Sequence, residues 1–279
     1  MYHTGLPLID QMLGGSVPPG VLFIEGRPGS GTTSLGLSVL REYTLRDHRE
    51  VVLIDAACDT TPPHLHEYTG SLGVHVTPWS GEAALDAAYH ALNFGAKVVM
   101  IDTLDAVTPS SERNKLMGQE VKHAEQRLLY HGIQQLSPAF RMSNALLVVT
   151  AGVRHDFAVN KTRSYLPRLM RGAFSNYLSL KTLGYTSQYG VVAWKDISIG
   201  YKLTGGLNVL KESKTRLFQK GISRSYALLQ ALLSEGVITR KGSTYQSPYG
   251  DYYRSLRDIC STLDDHYPQW YELLPYDPA

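Results

Sequence analysis

Between Gly26 and Thr33 the chain reads Gly26-Arg27-Pro28-Gly29-Ser30-Gly31-Thr32-Thr33, with an apolar run before it and a helical pattern after it. Glycines here let backbone N–H groups face inward as an anion nest, and the N-terminus of the next helix adds partial positive charge. The chemistry on offer is phosphate binding. The spacing follows the phosphate-loop pattern GxxxxGK[ST], except that Thr32 stands where the lysine belongs. That lysine neutralises the outer phosphates, so its loss weakens both nucleotide binding and transition-state stabilisation. Thr33 retains the magnesium-binding hydroxyl, and Asp102, ending another apolar run, stands where a second acidic motif would hold the ion. The same turn also reads as a plain strand-to-helix connection with no ligand.

A second concentration of chemistry lies at residues 154–171, RHDFAVNKTRSYLPRLMR, where Arg154, Lys161, Arg163, Arg168 and Arg171 outnumber the single acid Asp156. Lys+Arg 27 against Asp+Glu 25 leaves a net charge of only +2, so any affinity for a polyanion must come from such a local patch. The run has no helical or strand period and reads as a basic loop, the alternative being a solvated surface loop. Elsewhere the residues offer little chemistry. Asp264-Asp265 and the ten histidines form no triad or metal spacing, and His64-Leu65-His66 reads as a solvated pair. Cys58 and Cys260 make no disulfide framework, which suits a reducing compartment. No apolar run approaches the roughly 18 residues of a membrane span, and the opening MYHTGLPLIDQMLGG lacks the features of a signal peptide. The expectation is a soluble cytoplasmic protein that uses no membrane.

The elements that must position these groups are visible as apolar runs between helical patterns. Val21–Ile24, Val51–Asp55, Val74–Thr77, Val98–Asp102 and Asn144–Thr150 read as strands; Thr32–Tyr43, Glu82–Phe94 and Val121–Leu136 read as helices. Continuous apolar strands need burial on both faces, so the fold class is α/β, a mostly parallel central sheet flanked by helices. From Ser175 to Lys211, Gly, Tyr and β-branched residues predict antiparallel strands. Ser225–Ser234 predicts a helix, Val237–Tyr245 a hairpin turning at Lys241-Gly242, and Tyr252–Leu274 a closing helical segment. The expected division is a core over 1–220 and a small C-terminal α+β extension over 221–279, with the tyrosines at 245, 249, 252, 253, 267, 271 and 276 packing its core.

Thr4-Gly5-Leu6-Pro7-Leu8-Ile9-Asp10, Leu13-Gly14-Gly15 and Pro19-Gly20 resemble the opening of the RecA ATPase core. Ile54-Asp55-Ala56, Leu72-Gly73-Val74, Gly81-Glu82-Ala83-Ala84-Leu85, Val99-Met100-Ile101-Asp102-Thr103, Ala106-Val107-Thr108-Pro109, Met117-Gly118, Ser143-Asn144-Ala145-Leu146-Leu147 and Val153-Arg154 follow in RecA order. Asn208-Val209, Lys211, Lys214, Leu228-Leu229, Gly236-Val237-Ile238 and Gly242-Ser243-Thr244-Tyr245 are similar to phage UvsX-type recombinases. The resemblance implies a RecA-like phosphate-loop core that acts in homologous recombination or DNA repair, in the host cytoplasm if phage-encoded. It implies ATP and magnesium as ligands, single-stranded DNA and then duplex DNA as partners, and association with itself or a recombination protein. Its two DNA loops fall at about Ser110–Met117 and Arg154–Arg171, the second coinciding with the basic run; Phe157, Tyr165 or Phe174 would stack on bases.

The departures from that family pattern concern turnover. The lysine position is Thr32, the water-activating glutamate falls at Ala57, and the terminal-phosphate sensor falls at Gly152. No general base is placed to orient water, so ATP hydrolysis is expected to be lost and no catalytic residue is assigned. Nucleotide binding stays open, through Gly26, Gly29, Gly31, Thr32, Thr33 and Asp102. Lys211 and Lys214 resemble a pair that reaches a neighbouring subunit's nucleotide, and Pro62-Pro63-His64 an adenine-stacking step. The chain begins at the core itself, without the family's N-terminal polymerisation helix, so a different mode of self-association is expected. The alternative function is a non-catalytic scaffold that docks on an active recombinase.

Overall fold

The computed structural model describes residues 2–47, 51–58, 74–113, 124–156, 161–164, 173–174, 176–188, 191–202, 211–218 and 221–274. Helix α1 (Pro7–Met12) leads to strand β1 (Gly20–Gly26), which is buried at every position, as are β2 (Val51–Asp55) and β4 (Val98–Asp102). Successive side chains of a strand point to opposite faces, and here both faces are covered. Leu22 and Ile24 join Leu53, Met100 and Val148 in a core completed by Leu35, Val39 and Leu40 of helix α2 (Thr32–Asp47). Phe23 joins Ile54, Ile101 and Val149 on the other face. That face is covered by Ala84, Ala88 and Leu92 of α3 (Gly81–Asn93) and, beyond the short α4 (Ser110–Arg113), by Leu129, Ile133 and Phe140 of α5 (Ala124–Met142). Burying each large aliphatic contributes about 1.5–3 kcal/mol, which is why neither face of these strands carries polar residues in the middle.

Strand order in the ten-stranded sheet is β10-β9-β8-β7-β1-β5-β4-β2-β3, with β6 pairing β5 off that path. β3 is Val74–Val76, β5 Leu146–Asp156, β6 Lys161–Ser164, β7 Asn176–Gln188, β8 Val191–Lys202, β9 Lys211–Phe218 and β10 Gly221–Ile222. β1 to β5 and β7 are parallel neighbours, and β8, β9 and β10 continue antiparallel. The α/β architecture expected from the sequence is the one observed. Register aligns Gly26 with Gly152 and Asp55 with Asp102, so the turn, the acidic motif and the end of β5 gather at the C-terminal edge of the parallel strands. Open α/β sheets place ligands at that edge.

Several expected boundaries shift for identifiable reasons. α3 is capped by Ser80, whose Oγ accepts from the Ala83 N–H at 3.2 Å, and α5 runs past Leu136 through Pro138 to Met142 because Phe140 anchors its last turn in the core. β5 does not stop at Thr150. Beyond Gly152 it leaves β1 and continues as a ribbon with β6, so the first part of the expected basic loop is a β-hairpin. At the C-terminal end, α6 (Arg224–Ser234) is capped by Ser223; β11 (Thr239–Lys241), β12 (Thr244–Gln246) and β13 (Tyr252–Tyr253) form a three-stranded sheet. Tyr252–Tyr253 are therefore strand rather than the start of a helix; α7 (Leu256–Asp265) begins after Ser255 and α8 (Tyr267–Tyr271) follows.

Leu228, Leu232, Ile259, Leu263 and Trp270 centre a third apolar cluster with Tyr245, Tyr267 and Tyr271, whereas Tyr249 and Tyr252 are exposed and Tyr276 lies outside the described residues. This cluster closes on the N-terminal segment: Tyr267 Oη donates to Gly5 O at 3.2 Å and Tyr271 Oη to Asp10 Oδ2 at 3.1 Å. Arg224 reaches buried Glu42 of α2 at 2.9 Å while its guanidinium lies 3.7 Å from the centre of the Tyr267 ring.

Candidate functional site

Gly29 and Gly31 hold φ values of +74° and +94°, the left-handed region that glycine enters without steric cost, and this shapes the turn between β1 and α2. Neighbouring elements also exclude side chains. A Cβ on Gly29 would lie 2.9 Å from Lys195 Nζ, and one on Gly31 would lie 3.1 Å from Leu217 Cδ2. Lys195 and Leu217 are directly paired across β8 and β9, so these two strands rest on the turn side by side. The Lys195 ammonium donates to Gly29 O at 3.0 Å. Ser30 is fully buried against Gly26, and its Oγ has no hydrogen-bond partner among the described residues. The first turn of α2 presents N–H groups that have no intrahelical acceptor.

Thr33 Oγ1 donates to Asp102 at 2.9 Å (Oδ2) and 3.1 Å (Oδ1), and the buried Thr150 hydroxyl donates to Asp102 Oδ1 as well. Thr33 and Asp102 thus meet at the sheet edge, and Thr150 from β5 joins them. A hydroxyl beside a carboxylate suits a hard cation such as magnesium, which is typically held by one or two protein oxygens plus phosphates. Among the described residues no group of three or more His, Cys, Asp or Glu side chains could cage a metal alone.

The three positions that depart from the family pattern lie around this centre. Thr32 opens α2, and Ala57 N–H donates to the backbone oxygen of Asp102 at 3.3 Å. Gly152 N–H donates to Asp105 Oδ1 at 3.0 Å, and a Cβ on Gly152 would fall 2.9 Å from Asp105 Oδ2. Asp105 thus fills the space through which a longer side chain at 152 would leave the backbone. Lys211 and Lys214 are exposed on β9. Lys211 is roughly 20 Å along the strand from Leu217, the β9 residue that touches the turn.

The basic run is divided. Arg154 stands directly opposite Arg163, and Asp156 opposite Lys161, in the β5–β6 hairpin. Tyr165, Arg168 and Arg171 lie outside the described residues, as do Phe157 and Pro62-Pro63-His64. Phe174 is not available to a base: it is 1% exposed and stacks on Phe23 with ring centres 4.7 Å apart. Near the other expected DNA loop, Glu82 accepts from Ser110 N–H at 2.8 Å and Ser110 Oγ at 3.1 Å. Burial alone would raise the Glu82 pKa, but these hydrogen bonds prevail and hold it below the ordinary value.

Thr150, Asp105 and Lys195 carry no motif of their own. The strand-end position of Thr150, level with Asp102 across neighbouring parallel strands, is the one signal that a sequence reading could have used.

A family model described as the RecA N-terminal domain matches residues 1–164. The chain is 28% identical over 269 residues to Protein RecA of Aquifex aeolicus (strain VF5), covering 89% of this chain and 74% of that relative. It is 27% identical over 286 residues to Protein RecA of Prochlorococcus marinus (strain NATL1A), covering 97% of this chain and 74% of the relative. The crystal structure of the RadB recombinase superposes with a TM-score of 0.58 and 17% identity over 80% of this chain and 98% of that one, a likeness of fold. With the family model covering more than half of the sequence, and with the glycine turn, the Thr33–Asp102 pair and a mostly parallel sheet beside it, the chain belongs to the RecA family.

Proposed function

We propose that this protein is a divergent RecA-like DNA-binding protein of homologous recombination or repair that grips single-stranded DNA through its basic hairpin and the residues following it, and that it has lost ATP hydrolysis. The observation that supports the reading is the register of β5 and β6, which sets Arg154 directly across from Arg163. Like charges opposite each other destabilise a hairpin by about 0.2–1 kcal/mol, a cost that an anionic phosphate between them reverses. The ribbon projects from the same sheet edge as the glycine turn, and Lys161, Arg168 and Arg171 extend the cationic run. Such a surface tracks a backbone without reading sequence.

The loss of turnover is inferred from Thr32, Ala57 and Gly152 together. No carboxylate stands at 57 to activate water, and the space beside 152 is taken by Asp105. RecA-family proteins use ATP and magnesium; in this chain the turn and the Thr33–Asp102 pair would hold them without the groups that drive cleavage. Among the described residues no helix is long and apolar enough to cross a membrane. A cytoplasmic location is part of this proposal and rests on the kinship to RecA.

Fluorescence anisotropy with a labelled oligonucleotide tests the reading. Binding should weaken steeply with salt, and replacing Arg163, Arg168 and Arg171 with Ala should lower the log–log salt slope by about 2, at about 0.7 per lost single-strand phosphate contact. Unchanged affinity and slope in the triple variant would remove the basic run from the interface. Absence of DNA binding, with a stable complex on an active recombinase, would favour the scaffold reading.

A further inference from the structure

The glycine turn lacks its own lysine, yet an ammonium already rests on it. Lys195 lies on β8, far along the chain, and its Nζ donates to Gly29 O at 3.0 Å. An ammonium has three N–H donors, and this contact uses one. A Cβ on Gly29 would meet that group at 2.9 Å. The next residues along β8 do not compete for the position. Trp194 and Asp196 alternate to the other face, where Asp196 pairs with Arg216 at 3.3 Å and Arg216 lies over the Trp194 ring at 4.9 Å. Leu217, opposite Lys195 on β9, packs on Gly31 and fixes the ribbon against the turn.

A second observation points to a ligand in the same place. Ser30 is 0% exposed, lies inside the turn, and its hydroxyl is unpartnered among the described residues. A buried hydroxyl without a partner is unusual and costly, and an incoming acceptor oxygen would satisfy it. The Ser30 hydroxyl, the Lys195 ammonium and the first-turn N–H groups of α2 are all donors set within or directly on the eight residues Gly26–Thr33, where a group with several acceptor oxygens could engage more than one of them.

We propose that Lys195 supplies, from β8 of the same chain, the cation that the turn lacks at Thr32, and that it holds the phosphate tail of a nucleoside triphosphate. The inference rests on reading Gly26–Thr33 as a phosphate site, and makes that site self-sufficient within one subunit. Lys195 binds and neutralises; with Ala57 in place of the water-activating carboxylate, the result is a site that retains triphosphate without cleaving it.

The test is an equilibrium titration with a fluorescent N-methylanthraniloyl ATP and magnesium, with adenosine as competitor, on wild type, Lys195→Met, Lys195→Arg and Lys195→Met/Thr32→Lys, each checked for folding by circular dichroism. Losing a charge-assisted contact should weaken triphosphate binding roughly 10- to 100-fold in Lys195→Met while adenosine competition is unchanged. Lys195→Arg should keep most of the affinity, and Thr32→Lys should restore it in the Met background. Wild type that binds no triphosphate would overturn the phosphate-site reading and this proposal with it. Wild-type binding that Lys195→Met leaves intact would overturn the proposal alone. A loss that Thr32→Lys fails to restore would show that Lys195 merely props the turn, and would also overturn it.

Discussion

Gly152 and Asp105 provide a test of why the sensor position is empty. The Gly152 φ lies outside the left-handed region, so its backbone does not demand glycine; the group that meets a side chain there is the Asp105 carboxylate, 2.9 Å from the Cβ position and hydrogen-bonded to the Gly152 amide at 3.0 Å. In Gly152→Ala the carboxylate must swing away. The lost hydrogen bond costs about 0.5–1.5 kcal/mol, against about 0.5–1 kcal/mol gained from replacing a strand glycine; Asp105 is exposed, so its displaced carboxylate swings into water without a packing penalty. The net lies within about 1 kcal/mol of zero, at most about 2–4 °C in Tm for a domain of this size. In an Asp105→Ala background no hydrogen bond is lost, and the same substitution should stabilise by about 0.5–1 kcal/mol. Urea denaturation of the four proteins closes the cycle. Gly152→Ala should be the more favourable in the Asp105→Ala background, with a coupling of about 0.5–1.5 kcal/mol; additivity within about 0.3 kcal/mol would refute the idea that Asp105 occupies the sensor's space.

Two further outcomes follow from contacts away from the turn. Arg224→Ala should cost about 1.5–3 kcal/mol by removing a charge-assisted hydrogen bond to the nearly buried Glu42 and the guanidinium over Tyr267, whereas Tyr267→Phe should cost less; thermal melts of the two variants would show a contrary order if the pairing is unimportant. Because hydrogen bonds hold the Glu82 pKa below its ordinary value, the Glu82–Ser110 contact should be complete at neutral pH and lost only as pH falls below the ordinary carboxylate range; amide exchange at Ser110 that rises between pH 8 and 6 would contradict this.

The parallel core was legible because β1, β2 and β4 are buried on two faces and therefore write unbroken apolar runs such as Val21–Ile24. Asp102 was legible because it ends such a run, where a parallel strand delivers its last residue to the sheet edge, and Thr33 because the glycine turn after β1 counts it into the phosphate-loop spacing at the start of α2. The β5–β6 hairpin was not. A strand announces itself by period only when one face is apolar, and Val153-Arg154-His155-Asp156 against Lys161-Thr162-Arg163-Ser164 has no such face. Phe174 was misjudged for a related reason: an aromatic next to a basic run looks like a stacking platform, but its ring fills the space over Phe23. Lys195 left no trace in sequence because its partner, Gly29, is 166 positions away and the contact depends on how far the antiparallel extension curls over the turn. Tyr252 and Tyr253 continue the pattern of the following amphipathic helix on paper, but Ser255 caps α7 later and releases them to pair with β12.

The numbers 150, 152 and 154 share a parity. In an extended strand these three residues stand on one side, so the hydroxyl that holds Asp102, the backbone that meets Asp105 and the arginine at the root of the cationic ribbon form a single column. Point changes along this column alter one rung at a time. A one-residue insertion or deletion between Thr150 and Arg154 would shift the register of everything beyond it by one, leaving the centre beneath intact while exchanging which positions of the ribbon share a strand face with Thr150. Chain length in this short stretch, more than the identity of any residue in it, is therefore what keeps the two ends of the site in phase.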